Sequence, residues 1–138
     1  MSENNGNWQS TVVSIFPNAM VADKPTEITI GEVLEKIRTG FWKTPVERVS
    51  GKYSTAYKTA VADGNPDPAA VAKRASMALK KKLPALTPSG RFEKRCEAGI
   101  IEHSGILCLD IDHNLEREKV NSSPNVQFSF RSPTGSGL

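Results

Sequence analysis

The chain has 138 residues, of which 38% are hydrophobic and 24% charged, which is typical of one globular domain with a hydrophobic core. No apolar run approaches the roughly 20 residues needed to cross a membrane, and the polar N-terminus lacks a signal-peptide core. We therefore expect no membrane association and a cytoplasmic location.

The net charge of +3 is unevenly distributed along the chain. Residues 71–95 contain eight basic side chains and one acidic side chain, whereas residues 96–120 contain six acidic and two basic ones. A basic block followed by an acidic block suits a protein that attracts a polyanion and holds metal cations beside it. Two solvated faces would give the same pattern, so charge alone leaves both interpretations open.

The first half of the chain carries two clear signals. Residues 1–10 are predicted to form a flexible tail, and the apolar run 12–16 predicts a short buried strand. Residues 29–32 have the sequence of a capping box, which predicts a helix that ends at Gly40. The stretch 41–60 is ambiguous and could be a loop followed by a helical turn.

A turn at residues 63–68 leads into the best amphipathic helix. Asp67 is the expected N-cap, Pro68 the first helical residue, and the helix should end near Leu83 because Pro84 follows. An apolar stripe recurs at every fourth residue, at Val71, Ala75, Leu79 and Leu83. On the opposite side we expect a nucleic-acid-binding set, which consists of Lys73, Arg74, Lys80 and Lys81.

The remainder predicts a turn at 87–90, a strand at 105–112, a short helix through 115–120 and a half-buried strand at 125–130. This order predicts an α+β fold with a mixed or antiparallel sheet, in a single domain over residues 11–138.

Asp110 and Asp112 end the apolar run "GILCLDID". Side chains alternate faces in a strand, so both carboxylates would lie on one face, about 6.6 Å apart, and could share divalent ions. Their hard oxygens suit Mg²⁺ or Mn²⁺, which usually takes further oxygens from a phosphate. Aspartates also end strands simply as turn formers, so the motif alone leaves that alternative open.

The C-terminal run "RSPTGSG" is a second candidate. Its glycines allow backbone N–H groups to approach a phosphate, while its hydroxyls and arginine add donors. It is not a Walker loop, and a flexible terminus has the same composition. The candidate nucleotide-binding residues are Arg131, Ser132, Thr134, Gly135, Ser136 and Gly137, with His113 beside the aspartates.

Other reactive or aromatic residues are weaker candidates. His103 and Ser104 are neighbours in sequence, which does not supply the geometry of a hydrolase triad. Cys96 and Cys108 form no CxxC pair, so we expect two reduced thiols. Four aromatic residues could stack on bases or pack in a core or interface: Trp8, Trp42, Tyr53 and Tyr57.

Taken together, "LPALTPSG", "HSGILCLDIDH" and "SPTGSGL" resemble the VirE N-terminal-type domain of the primase-polymerase superfamily, over about residues 80–138. The resemblance implies an RRM-like sheet and a two-metal site at Asp110 and Asp112. It also implies nucleoside triphosphate contacts at 132–137, DNA as substrate, and a mobile-element or phage setting with a possible helicase-like partner. Nucleotidyl transfer would then proceed by metal-assisted in-line displacement.

The sequence also departs from that family. Its second motif contains no histidine, Ser136 stands where a basic residue is common, and no third acidic motif follows before Leu138. We therefore expect a domain truncated at its C-terminal side and inactive as this isolated chain. The alternatives are a non-catalytic nucleic-acid-binding module and a metal-dependent nuclease.

Overall fold

The computed structural model describes residues 7–110 and 117–133. The described residues form an α+β fold, as predicted, with two single 3₁₀ turns at Trp8–Ser10 and Glu97–Gly99. The strands are β1 Val12–Phe16, β2 Thr26–Thr29, β3 Ala85–Thr87, β4 Gly90–Phe92 and β5 Ile100–His103. The helices are α1 Ile30–Thr39, α2 Lys43–Ala62, α3 Pro68–Lys80 and α4 Arg117–Asn121.

The chain divides into two compact units. The first comprises Met1–Pro45 and Lys81–Cys108, and the second comprises Val46–Lys80 and Leu109–Leu138. All five described strands lie in the first unit, as an antiparallel sheet in the order β2-β1-β3 and an antiparallel β4-β5 pair.

The predicted strand at 12–16 is confirmed as β1, the central strand of the three-stranded sheet. Val13 and Phe16 are fully buried, and the buried Ser14 hydroxyl accepts the Phe92 N–H of β4 at 2.8 Å. The Thr87 hydroxyl on β3 lies 3.1 Å from the carbonyl oxygens of Ser14 and Gly90. Buried hydroxyls require such partners, and these bonds join the two sheets.

The predicted capping box and helix end are confirmed in α1. The Glu32 N–H donates to the Thr29 hydroxyl at 3.1 Å, and the Thr29 N–H donates to the Glu32 carboxylate at 2.8 Å. Gly40 ends the helix at φ +77°, a conformation that a side chain disfavours. Ile30 and Val33 are the buried residues of α1, and their side chains anchor the helix in the core.

The start of α3 is confirmed and its predicted end is wrong. The Ala70 N–H donates to the Asp67 carboxylate at 3.0 Å, as an N-cap requires. The helix ends at Lys80, and the carbonyl of the next residue, Lys81, accepts the Ala19 N–H at 3.0 Å. Leu83 precedes Pro84, which disfavours helical backbone.

The ambiguous stretch is the long helix α2, with Val49 and Ala60 buried. Pro45 is its third residue and lies in the first turn. Backbone N–H groups there have no intrahelical partner, so a proline removes no helical hydrogen bond. Gly51 and the β-branched residues of this segment weakened the helical signal in the sequence.

The predicted strand at 105–112 is wrong over its described part, residues 105–110, which have no regular structure. The strand lies earlier, at β5, and ends where Ser104 accepts the Ile106 N–H at 3.1 Å and Gly105 adopts φ +76°. Leu107 is 82% exposed and Leu109 67% exposed, so neither packs in the core.

The predicted strand at 125–130 is also wrong, because these residues pair with no strand in the described chain. The Val126 N–H donates to the Ser123 carbonyl at 3.1 Å, which closes a turn instead. The rings of Phe128 and Phe130 stack, but Ser129 is half-buried and Phe130 is exposed, so the expected alternation of burial is not kept.

Candidate nucleic-acid interface

The structure describes only part of the predicted metal pair. Asp110 is exposed on irregular backbone, while Asp112 and His113 lie outside the described residues. Within residues 7–110 and 117–133, no three or more His, Cys, Asp or Glu side chains are grouped so that they could hold a metal ion. The two-aspartate Mg²⁺ or Mn²⁺ site therefore stays a prediction, and its described member, Asp110, does not lie on the strand that was expected to present it.

The predicted nucleotide-binding run is likewise described only at its start. Arg131 is exposed and Ser132 is half-buried, while Thr134, Gly135, Ser136 and Gly137 lie outside the described residues. Ser50 on α2 donates a hydrogen bond to the carbonyl of Pro133, which fixes the described end of this run against α2.

Three of the four predicted nucleic-acid-binding residues lie together on α3. We call Lys73, Arg74 and Lys80 the basic face of α3. All three are exposed, and none of their side chains forms an ion pair with any residue in the described ranges. At 100° and 1.5 Å per residue, Lys73 and Lys80 lie on one line about 10.5 Å apart, and Arg74 is turned about 100° from that line.

The buried side of α3 explains this placement. Ala72 and Ser76 are its most buried residues, and the Ser76 hydroxyl donates to the Ala72 carbonyl at 3.0 Å. The predicted stripe of Val71, Ala75 and Leu79 is half-buried beside them. The buried arc is therefore wider than predicted, and the basic face occupies the remaining, solvated arc of the helix.

Lys81, the fourth predicted residue, is exposed in the turn after α3 and belongs to the first unit. Its backbone carbonyl is held by Ala19. We therefore leave Lys81 out of the basic face of α3.

A different arrangement surrounds Arg91 on β4. Its guanidinium contacts the Glu27 carboxylate of β2 at 2.6 Å and the Glu102 carboxylate of β5 at 3.1 Å. The hydrogen bond to Glu27 has the larger effect, and together with the bond to Glu102 it raises the pKa of Arg91. We call these three residues the Arg91 cluster, in which two negative charges compensate one positive charge.

A polar cavity of about 530 Å³ lies beside the Arg91 cluster and is also lined by His103 and Ser104. The Ser104 hydroxyl donates to the Pro88 carbonyl at 2.6 Å rather than to an imidazole, so it is not arranged as an activated nucleophile. Because both flanking carboxylates are negative, the cavity is a poor site for a phosphate. Sequence reasoning missed this cluster, since Glu27 and Arg91 are 64 residues apart and carry no local signal.

Comparison with known proteins gives one family match. The model described as BT4734-like, N-terminal domain, matches residues 78–138, which is less than half of the chain. No curated protein and no solved structure matches significantly. The description of the family states no activity or ligand.

This match corrects the resemblance drawn from the sequence motifs. The matched region contains those motifs but matches the model of a different family, so the assignment to the VirE N-terminal-type domain and to the primase superfamily is wrong. The RRM-like sheet, the nucleoside triphosphate contacts and the helicase-like partner lose the basis on which they were expected.

No helix in the described part of the chain is both long enough and apolar enough to cross a membrane.

Proposed function

We propose that this protein is a non-catalytic module that binds nucleic acid through the basic face of α3. The observation that carries the proposal is the exposure of three neighbouring cations that no described acidic side chain compensates. Elsewhere the basic side chains Arg38 and Arg91 are held by Glu35 and by Glu27 and Glu102.

The spacing of these cations supports a polyanionic partner. A strand of B-form DNA advances about 3.4 Å per phosphate, so the 10.5 Å between Lys73 and Lys80 spans about three phosphates. Lysine acts on a phosphate as a point charge, and arginine can donate two parallel hydrogen bonds to it. Such contacts release counterions and read no base sequence. The expected cytoplasmic location would give this surface access to DNA or RNA.

The basic face is tested by replacing its three residues together. In the variant Lys73→Gln, Arg74→Gln, Lys80→Gln, we expect affinity for a mixed-sequence DNA to fall on the order of 100-fold at about 0.05 M salt, because three counterion-releasing contacts are lost. Fluorescence anisotropy with labelled DNA measures this affinity.

The matched control removes the same charge from the first unit, in the variant Lys36→Gln, Arg38→Gln, Arg91→Gln. It should bind like wild type, because Arg38 is already paired with Glu35 at 2.5 Å, Arg91 is paired with Glu27 and Glu102, and Lys36 lies over the ring of Phe41. Equal losses in both variants would indicate that net charge, and not the basic face, governs binding. Undiminished binding by the α3 variant would overturn the proposal.

A further inference from the structure

The second unit contains two stacked aromatic pairs that are not part of a closed core. The rings of Tyr53 and Tyr57 on α2 are nearly parallel, at 15°, with centroids 6.3 Å apart. Those of Phe128 and Phe130 are parallel within 4°, with centroids 6.5 Å apart. In each pair one residue is partly accessible to solvent, Tyr57 at 40% and Phe130 at 39%.

The segment that carries the two phenylalanines meets α2 on the side of Tyr57. Ser50 and Tyr57 are seven residues apart and therefore lie on one line of the helix, with Tyr53 about 40–60° from that line. The Ser50 hydroxyl donates to the Pro133 carbonyl, which brings the end of the segment carrying Phe128 and Phe130 to this side. Three residues of chain span at most about 10 Å, so Phe130 lies within that reach of the contact.

Each accessible ring is followed in the chain by an exposed cation, Lys58 after Tyr57 and Arg131 after Phe130. Consecutive side chains do not face each other, so the ring can offer a base a stacking surface while the cation attracts the neighbouring phosphate backbone. Bases in a duplex have no free face, because both faces are stacked on neighbouring base pairs. This combination therefore discriminates in favour of unpaired nucleotides.

We infer that the nucleic acid bound by this protein is single-stranded, and that Tyr57 and Phe130 stack on its unpaired bases. The inference rests on the proposed function and specifies its substrate class. The basic face of α3 would supply sequence-independent attraction, and the two rings would supply the preference for single strands.

The experiment compares labelled oligothymidylate of about 20 nucleotides, which exceeds the 4–16 nucleotides of a typical single-strand module, with a duplex of equal length. We expect wild type to prefer the single strand. Tyr57→Leu and Phe130→Leu should each weaken single-strand binding about 5- to 150-fold and leave duplex binding within about twofold. Phe41→Leu is the control, because Phe41 is 63% exposed but lies in the first unit.

Equal binding of both nucleic acids, with no loss in the two leucine variants, would overturn this inference while leaving the proposed function intact. Binding of neither nucleic acid would overturn both. If a leucine variant fails to fold by circular dichroism, wild type is crosslinked to oligonucleotides containing 5-iodouracil. Crosslinks to Tyr57 or Phe130 support the inference, and crosslinks confined to other residues contradict it.

Discussion

Two groups of basic side chains, one in each unit of this protein, are held in different ways. In the first unit, Arg91 of β4 contacts the carboxylates of Glu27 on β2 and Glu102 on β5. In the second unit, Lys73, Arg74 and Lys80 are solvated and have no ion-pair partner among the described residues. The comparison indicates that compensated charge joins elements of the fold, while uncompensated charge remains available to a ligand.

The largest effect we expect is a loss of stability in the first unit that leaves DNA binding by the basic face of α3 unchanged. A Cβ on Gly90 would collide with the backbone carbonyl of Glu102, so Gly90→Ala must displace β5 from β4. We expect a loss of about 1–3 kcal/mol in the free energy of unfolding, the usual cost of overpacking. Urea unfolding measures it, and DNA affinity of the folded variant should stay near that of wild type.

Gly51→Ala is the matched control, because nothing lies within 4 Å of the Cβ that it would add to α2. It should stabilise the protein by about 0.5–1 kcal/mol, as alanine favours a helix over glycine. Equal stability of both alanine variants would contradict the close β4–β5 approach at Gly90.

The cap of α1 should have the next largest effect. Thr29→Ala removes the hydroxyl that accepts the Glu32 N–H, and we expect a loss of about 1 kcal/mol. Thermal unfolding should show a lower midpoint, with DNA binding unchanged because α1 lies in the first unit. Thr29→Ser should restore most of the loss, and failure of serine to do so would argue against a capping role.

The same cap predicts a pH dependence. The hydrogen bond from the Thr29 backbone N–H, followed by that of its hydroxyl, lowers the pKa of Glu32. A lowered folded-state pKa means that the stabilisation is present above the ordinary carboxyl pKa of about 4.3 and is lost as the pH falls through the folded value. The thermal midpoint of Glu32→Gln should therefore lie below that of wild type at neutral pH and converge with it in acid. A gap that is constant across pH would contradict this assignment.

A smaller effect is expected when the two carboxylates that neutralise Arg91 are removed. This change tests whether Glu27 and Glu102 keep Arg91 from binding DNA. Glu27→Gln with Glu102→Gln leaves the Arg91 guanidinium without its carboxylates, so it becomes available to a phosphate. We expect the salt dependence of log affinity to steepen by about 0.7–0.9, the contribution of one contact. Arg91→Gln alone should leave affinity unchanged, and a marked loss in that variant would mean that Arg91 already contacts DNA.

The smallest expected signal concerns metal. Asp110 and Asp112 should bind Mn²⁺ only weakly, because the predicted site contains two carboxylates and no third protein ligand. Isothermal titration should give heats that disappear in the Asp110→Asn, Asp112→Asn variant. Identical heats from that variant and wild type would remove the predicted site.

The parts of the fold that the sequence predicted well are set by local contacts. The Thr29–Glu32 box, Gly40 and the Asp67-Pro68 start of α3 each involve residues within four positions of one another. The basic face of α3 was predictable for the same reason, because helical periodicity alone places its residues.

The parts that the sequence did not predict depend on distant partners. The run 105–110 has the composition of a strand, but β4 pairs with residues 100–103 instead. β3 and β4 have three residues each, and pairing with β1 and β5 defines them rather than their own propensity. The Arg91 cluster and the contact of Ser50 with Pro133 likewise join residues more than 60 positions apart, although the cluster also includes the nearer Glu102.

The central claim is tested most directly by the salt dependence of DNA affinity in wild type and in the Lys73→Gln, Arg74→Gln, Lys80→Gln variant. Three phosphate contacts at 0.7–0.9 each predict a log–log slope of roughly −2 to −3 for wild type, with the variant shallower by about that amount. A fourfold rise in salt should therefore weaken wild-type binding by about 20- to 40-fold. The same slope in both proteins would contradict the assignment of nucleic-acid binding to the basic face of α3.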